Sequence, residues 1–390
     1  MAEMERRPRI VLIAPRLRDL YLGECRPVGG TEVMTDLIAR HLADHFAVTV
    51  LVDGPAPTPG RSGPLAGQQG PPGVAIATAP LLAALQGPGP LAAWRFLREV
   101  NRALVRLQPD LVYAHTTGME IAAASWYARR HRAASVYHWG ADTDRHGLVT
   151  PGPPGLAALF LWGRRHADLQ VCQTDQQFLS LPAAERARAM VLPNPLNTKL
   201  PLRRSTGGHV LWVARIVPNK RPDLFLGTAQ RLPTRRFVMA GEPSSPEDRA
   251  NLERGLRTTP NVDWVGQADA GKLADLYAGA QCLLNTSDVE GFPNTFLEAC
   301  AAGVPVVSLR CDPNGILQHQ GAGRFLGGNV AGLAEAVEGL YDAARWAEAQ
   351  EACLRVAREH APGLLVPRLE AKLREVLLAK GRPVGRERAS

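Results

Sequence analysis

SDVEGFPNTFLEACAAGVP, residues 287–305, is the stretch on which the reading of this chain turns. Glu290 stands before Gly291, Phe292 and Pro293, a run that cannot continue as helix. Asn294 is a good N-cap for the segment that holds Glu298, so a helix is expected over residues 294–302. Free backbone N–H groups would then open at a helix N-terminus, where donors and the helix dipole together can hold a diphosphate. One carboxylate lies before that anion site and one lies a turn inside the helix. Aimed at a diphosphate they would repel it. Aimed past it, they can accept hydrogen bonds from sugar hydroxyls on one side and ribose hydroxyls on the other.

The matching positive charges lie upstream. A strand is expected at residues 210–214 and a helix at 222–231, with Arg215 at the strand's end and Lys220 at the helix's start. Both therefore fall at the carboxyl edge of a sheet, where open α/β folds bind their ligands. A guanidinium fork and an ammonium point charge suit a diphosphate and would stabilise the charge that builds as it leaves.

Outward from this segment the same grammar recurs: a short apolar run, a turn, then an amphipathic helix. Further strands are expected at residues 237–240, 262–265, 282–285 and 304–309, with helices at 246–257 and 270–280. The first half repeats the pattern. A strand at 9–14 leads to Gly29 and Gly30 at the mouth of a helix carrying Val33, Leu37 and Leu42 on one side. Strands at 47–52, 111–114 and 134–138 follow, with a helix near 91–107. This alternation implies α/β architecture: two doubly wound, Rossmann-like parallel-sheet domains. Residues 200–209, with Arg203, Arg204 and a Gly pair, read as the linker. The division expected is 1–202, 203–365, and a C-terminal helix and basic tail at 366–390. Leu365, Leu369, Leu373 and Leu377 stripe that helix, and the tail beyond it is expected to fray. Residues 54–73, rich in Gly, Pro and Gln, read as a long mobile loop. The apolar run 156–162 reads as a buried helix, with a membrane-facing or acceptor-facing patch as the sharper alternative.

Composition narrows the class. A chain of 390 residues suits two domains, and a 45% apolar share supplies a core. The net charge of +8 comes from basic residues interspersed with acids, and aromatics are 6% of residues, which favours a phosphate-binding site over a nucleic-acid surface. Six cysteines without a C-x-x-C pair point to reduced, buried thiols in a cytoplasmic protein. The apolar run near the N-terminus is too short for a signal peptide, and no stretch approaches the roughly 20 apolar residues of a membrane span. Peripheral membrane contact stays open.

V-A-R-x4-K at Val213 to Lys220 and E-G-F-P-N-T-F-L-E at Glu290 to Glu298 resemble the signatures of the retaining glycosyltransferases of family 4, which have the GT-B fold. The resemblance covers nearly the whole chain and is densest from Arg215 to Gly303. It implies sugar transfer from a nucleoside-diphosphate sugar to a hydroxyl acceptor with retention of configuration, in the cleft between the domains. It implies that Arg215 and Lys220 bind the donor diphosphate, that Glu290 contacts the transferred sugar, and that Glu298 holds the ribose. The backbone of Gly291, Phe292, Pro293, Asn294 and Thr295 would cover sugar and phosphate. Gly29 and Gly30 resemble the family's glycine loop near the donor phosphate. His138, ending ASVYH, falls where the family has a histidine near the reacting sugar, and His115, after LVYA, is a lesser candidate of the same kind. The family is generally independent of bound metal, consistent with a sequence that shows no D-x-D motif or metal cluster placed to serve a diphosphate, so no cofactor is expected beyond the nucleotide sugar as co-substrate. A lipid-linked saccharide in envelope or exopolysaccharide synthesis is the leading acceptor, with a small molecule close behind.

Two departures stand out. Ala214 occupies a position usually held by Gly, and RCDPNGILQHQG at residues 310–321 replaces a loop that normally carries a Gly pair and a Glu. Asp312 and Asn314 are the candidates to take over that loop's contacts. Two other functions are weighed: a nucleotide-sugar epimerase of the same architecture, and a non-catalytic nucleotide-sugar-binding paralogue. The first needs an acid and base placed at the sugar, which the sequence does not show. The second sits poorly with the intact set of Arg215, Lys220, Glu290 and Glu298.

Overall fold

The computed structural model describes residues 6–22, 30–55, 70–86, 89–115, 118–142, 144, 155–196, 200–202 and 207–384. The chain forms two compact units, Met1–Pro195 with Gly363–Ser390, and Leu196–Pro362.

In the first unit the chain alternates β1 (Arg9–Ile13), α1 (Leu17–Leu22), α2 (Gly30–Leu42), β2 (Ala47–Asp53), β3 (Val74–Ala79), α3 (Leu81–Ala84) and α4 (Gly89–Leu107). It continues through β4 (Leu111–His115), α5 (Glu120–His131), β5 (Ala134–His138), α6 (Leu156–Arg165), β6 (Leu169–Cys172), α7 (Asp175–Ser180), α8 (Ala183–Arg186) and β7 (Ala189–Val191). All seven strands are parallel, in the order β3-β2-β1-β4-β5-β6-β7. A parallel sheet needs crossover helices, and those helices must bury both of its faces, which is why RIVLI and LVYAH are apolar almost throughout rather than alternating. Met34, Leu37 and Ile38 of α2 cover one face, while Phe96 and Val100 of α4, Tyr127 of α5 and Phe160 of α6 cover the other.

The second unit repeats the plan with β8 (His209–Val213), α9 (Pro222–Arg231), β9 (Phe237–Ala240), α10 (Pro246–Leu256), β10 (Val262–Trp264), α11 (Ala270–Gly279) and β11 (Ala280–Asn285). Then come α12 (Asn294–Ala301), β12 (Val306–Ser308), β13 (Gly323–Phe325), α13 (Leu333–Gly339) and α14 (Ala343–Glu359). Its six parallel strands run β10-β9-β8-β11-β12-β13, so strand order reverses beside the unit's first strand in both sheets. The expected two Rossmann-like sheets are present. β3, β6, β7 and β13 go beyond the strands expected from sequence; β7 and β13 are three residues long and end their sheets, too short to show a period.

The division of the chain differs from the expected one. Leu196 N–H donates to His360 carbonyl at 2.7 Å, and Leu196 and Leu200 pack on the second unit's core, so the boundary falls before them. The final helix, α15 (Pro362–Ala379), is no appendage: Leu365, Leu369, Leu373 and Leu377 complete the core on the α2 face of the first sheet. Four leucines on one stripe need an apolar partner, and each contributes about 1.5–3 kcal/mol when fully buried. The start of the basic tail is also tied down. Lys380 pairs with Asp168 at 2.7 Å, and Arg382 lies 3.5 Å from the fully buried Asp110. Residues 385–390 lie outside the described residues, as do most of the 54–73 loop and residues 203–206 of the linker. The five described cysteines are buried; Cys25 lies outside the described residues.

Candidate functional site

In the second unit, β8 and β11 are neighbours at the point where strand order reverses, and the predicted residues gather just beyond their carboxyl ends. After β8 the chain passes Ala214 and Arg215 into a 3-10 turn, Pro218–Lys220. Lys220 therefore closes this turn, and Arg221, in the left-handed region at φ 52°, precedes α9. The turn is pinned from β11. Thr286, fully buried, donates to Lys220 carbonyl at 2.8 Å and accepts from Trp212 Nε1 at 3.0 Å. Asp288 N–H donates to Asn219 carbonyl at 2.9 Å. Ala214 stays out of the left-handed region, so it needs no glycine. The glycine that matters is Gly241, at φ 141°, where a Cβ would stand 1.8 Å from Ala214 carbonyl oxygen and push the two strand ends apart.

Arg215 is exposed, and its side chain makes no hydrogen bond or ion pair with any described residue. Lys220 Nζ instead lies 2.5 Å from Glu290 Oε1, with both side chains mostly buried. The two groups assigned from sequence to phosphate and to sugar thus hold each other in this structure. The pair neutralises two charges that would each be costly to bury alone. Asp288 sits between Arg221 at 3.5 Å and Arg310 at 3.3 Å, so two more guanidinium groups flank the same loop.

The helix that follows starts at Asn294, as in the expected range, but its cap differs. Pro293 holds the cap position without a side-chain bond, and Asn294 is the first helical residue rather than the cap. Phe292 turns into the core, its ring 5.2 Å from that of His360. Only its backbone is left to act, beside Gly291 and Thr295. Glu298, one turn in, accepts a hydrogen bond from Tyr277 Oη of α11 at 2.7 Å. Burial pushes the Glu298 carboxyl above its ordinary range, partly offset by the phenol's bond, and pushes the Tyr277 phenol well above its own. Asp312 closes its own turn: its two oxygens accept from Leu317 N–H at 2.8 Å and Gln318 N–H at 3.1 Å.

In the first unit, β1 and β4 flank the equivalent reversal. His115 ends β4 and His138 ends β5, directly paired in register. Their rings stack with centroids 4.2 Å apart and planes 10° from parallel. Tyr113 Oη lies 2.7 Å from His138 Nδ1. Thr35 Oγ1 of α2 lies 2.9 Å from His115 Nδ1 and donates to Thr31 carbonyl at 2.8 Å. The start of α2, with Gly30, is thereby tied to the histidines; Gly29 lies outside the described residues. Desolvation takes His115 down to about 3 and His138 well below the ordinary histidine range, the latter also because His115 is adjacent. Both rings are neutral at neutral pH. Sequence reasoning passed over Thr35, Tyr113, Tyr277 and Thr286, since a lone hydroxyl on a helix or strand carries no spacing signal.

On the other face of this sheet, α6 buries Phe160 and Gly163, while Leu159 and Trp162 join Trp94, Leu97 and Trp126 around an apolar pocket of about 640 Å³. Arg98 lies over Trp94 at 5.1 Å and Arg130 over Trp126 at 4.8 Å. The run 156–162 is therefore half core and half pocket wall. Among the described residues no helix is long and apolar enough to cross a membrane.

Comparison with known proteins agrees with this fold. Residues 28–200 match the family described as Glycosyltransferase Family 4, and residues 207–343 match Glycosyl transferases group 1. D-inositol 3-phosphate glycosyltransferase of Mycolicibacterium paratuberculosis is 32% identical over 234 residues, covering 58% of this chain and 45% of that protein. The Mycobacterium leprae protein of the same name is 32% identical over 166 residues, covering 41% of this chain and 37% of its own length. The aligned regions thus span less than half of these relatives. Among solved structures, sucrose-phosphate synthase from Thermosynechococcus elongatus superposes with a TM-score of 0.73 at 16% identity, covering 96% of this chain and all of that one. A structure titled trehalose-6-phosphate from E. coli bound with UDP-2-fluoro glucose superposes with a TM-score of 0.66 at 14% identity, covering 94% and 98%. With two parallel Rossmann-like sheets of the GT-B fold and a glycosyltransferase family matched in each half, this chain is similar to the family 4 glycosyltransferases.

Proposed function

We propose that this protein transfers a sugar from a nucleoside-diphosphate sugar to a hydroxyl acceptor, with retention at the anomeric carbon. The observation that carries the reading is Arg215: an exposed guanidinium without a hydrogen-bond or ion-pair partner among the described residues, at the strand-order reversal and five residues from Lys220. A cation left unpaired at the ligand-binding edge of an open α/β sheet awaits an anion. The E. coli neighbour's bound UDP-2-fluoro glucose and the relatives' names support a nucleotide sugar as that anion.

In the proposed reaction the acceptor oxygen bonds to the anomeric carbon as the bond from that carbon to the diphosphate oxygen breaks. The acceptor's proton passes to the departing phosphate oxygen on the same face. Arg215 and Lys220 stabilise the negative charge that accumulates there, which requires Lys220 to share itself between Glu290 and phosphate. Glu290 takes the sugar and Glu298 the ribose, as the family resemblance implies, and His138 keeps the catalytic role that the same resemblance gives it. Arg215 and Lys220 supply the charge that a metal would otherwise carry, and transfer is expected to persist in EDTA. For the acceptor we favour a lipid-linked saccharide met at a membrane surface, because a tryptophan-lined pocket edged by arginines suits an apolar chain with an anionic head.

The test is thermal stability against UDP, GDP, ADP and TDP, with and without Arg215→Ala. Ligand that binds the native state raises Tm by mass action. A rise with one nucleotide, lost in the variant, supports the reading and names the base. No rise with any of them overturns it. Proton NMR of the product's anomeric coupling then reads retention directly.

A further inference from the structure

The three helices α4, α5 and α6, which cover one face of the first sheet, share a pattern that the fold does not require. Each carries a tryptophan followed about one turn later by arginine: Trp94 and Arg98 on α4, Trp126 with Arg129 and Arg130 on α5, Trp162 and Arg165 on α6. Residues three or four apart share a helix face, so on each helix an indole and a guanidinium stand side by side. Three of the chain's seven tryptophans meet in this way around the pocket of about 640 Å³. Core packing does not call for them, since Tyr127 of α5 and Phe160 of α6 already fill the side toward the sheet.

α4 shows the pattern most fully. Its inner side, with Phe96, Val100, Ala103 and Leu104, belongs to the core. The outer side of an ordinary surface helix is polar. Here Leu91, Trp94 and Val105 are exposed, Trp94 at 54%, with Arg98 and Arg102 between them. The spacing of these five residues follows the helical period, so they form one outer stripe. Charge on the face is one-sided. The four arginines of α4 meet a single acid on that helix, Glu99, which pairs with Arg102 at 2.7 Å. The one acid of α5, Glu120, stands at the opposite end from Arg129 and Arg130, and α6 has none.

We propose that this face docks the protein on an anionic lipid bilayer, with the α4 stripe in the interface plane, Leu91 and Trp94 at the acyl boundary and the arginines on lipid phosphates. An indole has an apolar body and an N–H for the head groups, and a guanidinium holds phosphate by two hydrogen bonds at once. The helix lies on the bilayer, since no described helix is long and apolar enough to cross it. A second copy of the chain fits poorly, because a two-fold contact would set these arginines against one another. Single-stranded nucleic acid would use the arginines and the flat rings. It would leave unexplained the exposed Leu91 and Val105 and the aliphatic walls that Leu97 and Leu159 give the pocket. The proposal extends and rests on the acceptor reading above, with which it shares the pocket: a protein held by this face meets a lipid-linked acceptor at the lipid's own surface.

Flotation of the full chain with vesicles tests this, with no nucleotide or acceptor present. Vesicles of equal parts phosphatidylcholine and phosphatidylglycerol should carry the protein, vesicles of phosphatidylcholine alone should not, and added salt should weaken the binding. Arg98→Gln combined with Arg130→Gln should weaken it by about 25-fold, about fivefold for each lost charge, at an unchanged Tm that shows the variant folded. Lipids with brominated acyl chains should quench tryptophan fluorescence on binding, and should quench it less in Trp94→Phe. Failure to bind anionic vesicles overturns the proposal. Binding that neither variant alters puts the contact elsewhere and overturns it as well. So does a face that ignores vesicles yet captures a single-stranded oligonucleotide or makes dimers. The rise in Tm with nucleotide is measured without lipid, so the transfer reading can fail while docking stands, and the reverse.

Discussion

The two units place their candidate groups at the same topological point with opposite chemistry. The second unit's groups, Arg215, Lys220, Glu290 and Glu298, are charged, and all but Arg215 are in contact with another side chain; they come from two short segments on adjacent strands. The first unit's groups are neutral, stacked and buried, drawn from α2, β4 and β5. A diphosphate is held by charge, which tolerates imprecise placement. Hydrogen bonds between neutral groups are read by direction, so the first unit's arrangement depends on fixed tautomers and a rigid frame.

That contrast can be broken most sharply at Arg215. Arg215→Ala should lower kcat/KM by about 100- to 1,000-fold, as expected for a lost stabiliser of leaving charge, while Tm without ligand stays put because the exposed side chain makes no hydrogen bond or ion pair with any described residue. A variant that unfolds instead would make Arg215 structural. Leu373→Ala on α15 should do the converse: about 3 kcal/mol less stability in urea melts, as for a truncated core leucine, with the loss sensed in the first unit.

Acid should separate the units by sign. His115 and His138 have depressed values, so below pH 6.5 the unfolded chain takes up protons that the folded rings refuse. Stability is full above that pH and is lost as pH falls toward about 3, the value for His115, by up to about 1.4 kcal/mol per pH unit for each ring. Glu298 has a raised value, so its effect runs the other way: its cost to folding is present at neutral pH and disappears as pH falls through its folded value toward 4.5. Hydrogen exchange across pH 7 to 4 should show the first unit opening more readily, an effect reduced in His115→Asn. Exchange that rises equally in both units would remove the distinction.

The smallest effect is expected at Glu298→Gln. The amide oxygen can still accept from Tyr277, and a carboxyl whose value is raised by burial is not missed at pH 7, so Tm should not fall. Nucleotide affinity should drop by roughly tenfold, the worth of a charge-assisted hydrogen bond to ribose. Calorimetric titration measures it, and unchanged affinity would detach Glu298 from the nucleotide.

Much of the second unit was legible because its chemistry is local. Strand ends, a helix start and the spacing from Arg215 to Lys220 and from Glu290 to Glu298 are properties of contiguous sequence, and hydrophobic period fixes which edge they share. The sequence determined the α/β class, the two sheets and these residues' place on them. It did not determine that Lys220 and Glu290 pair, that Phe292 and Asp312 serve their own folds, or that α15 returns to the first unit. Nor did it single out Thr35 and Tyr113. Some of those outcomes depend on residues 70 or more positions apart meeting, as Lys220 meets Glu290 and Thr35 meets His115, while others, such as Asp312 closing its own turn, depend on a local conformation that no hydrophobic period reports. Only packing decides which hydroxyl faces which ring, and so which nitrogen keeps its proton.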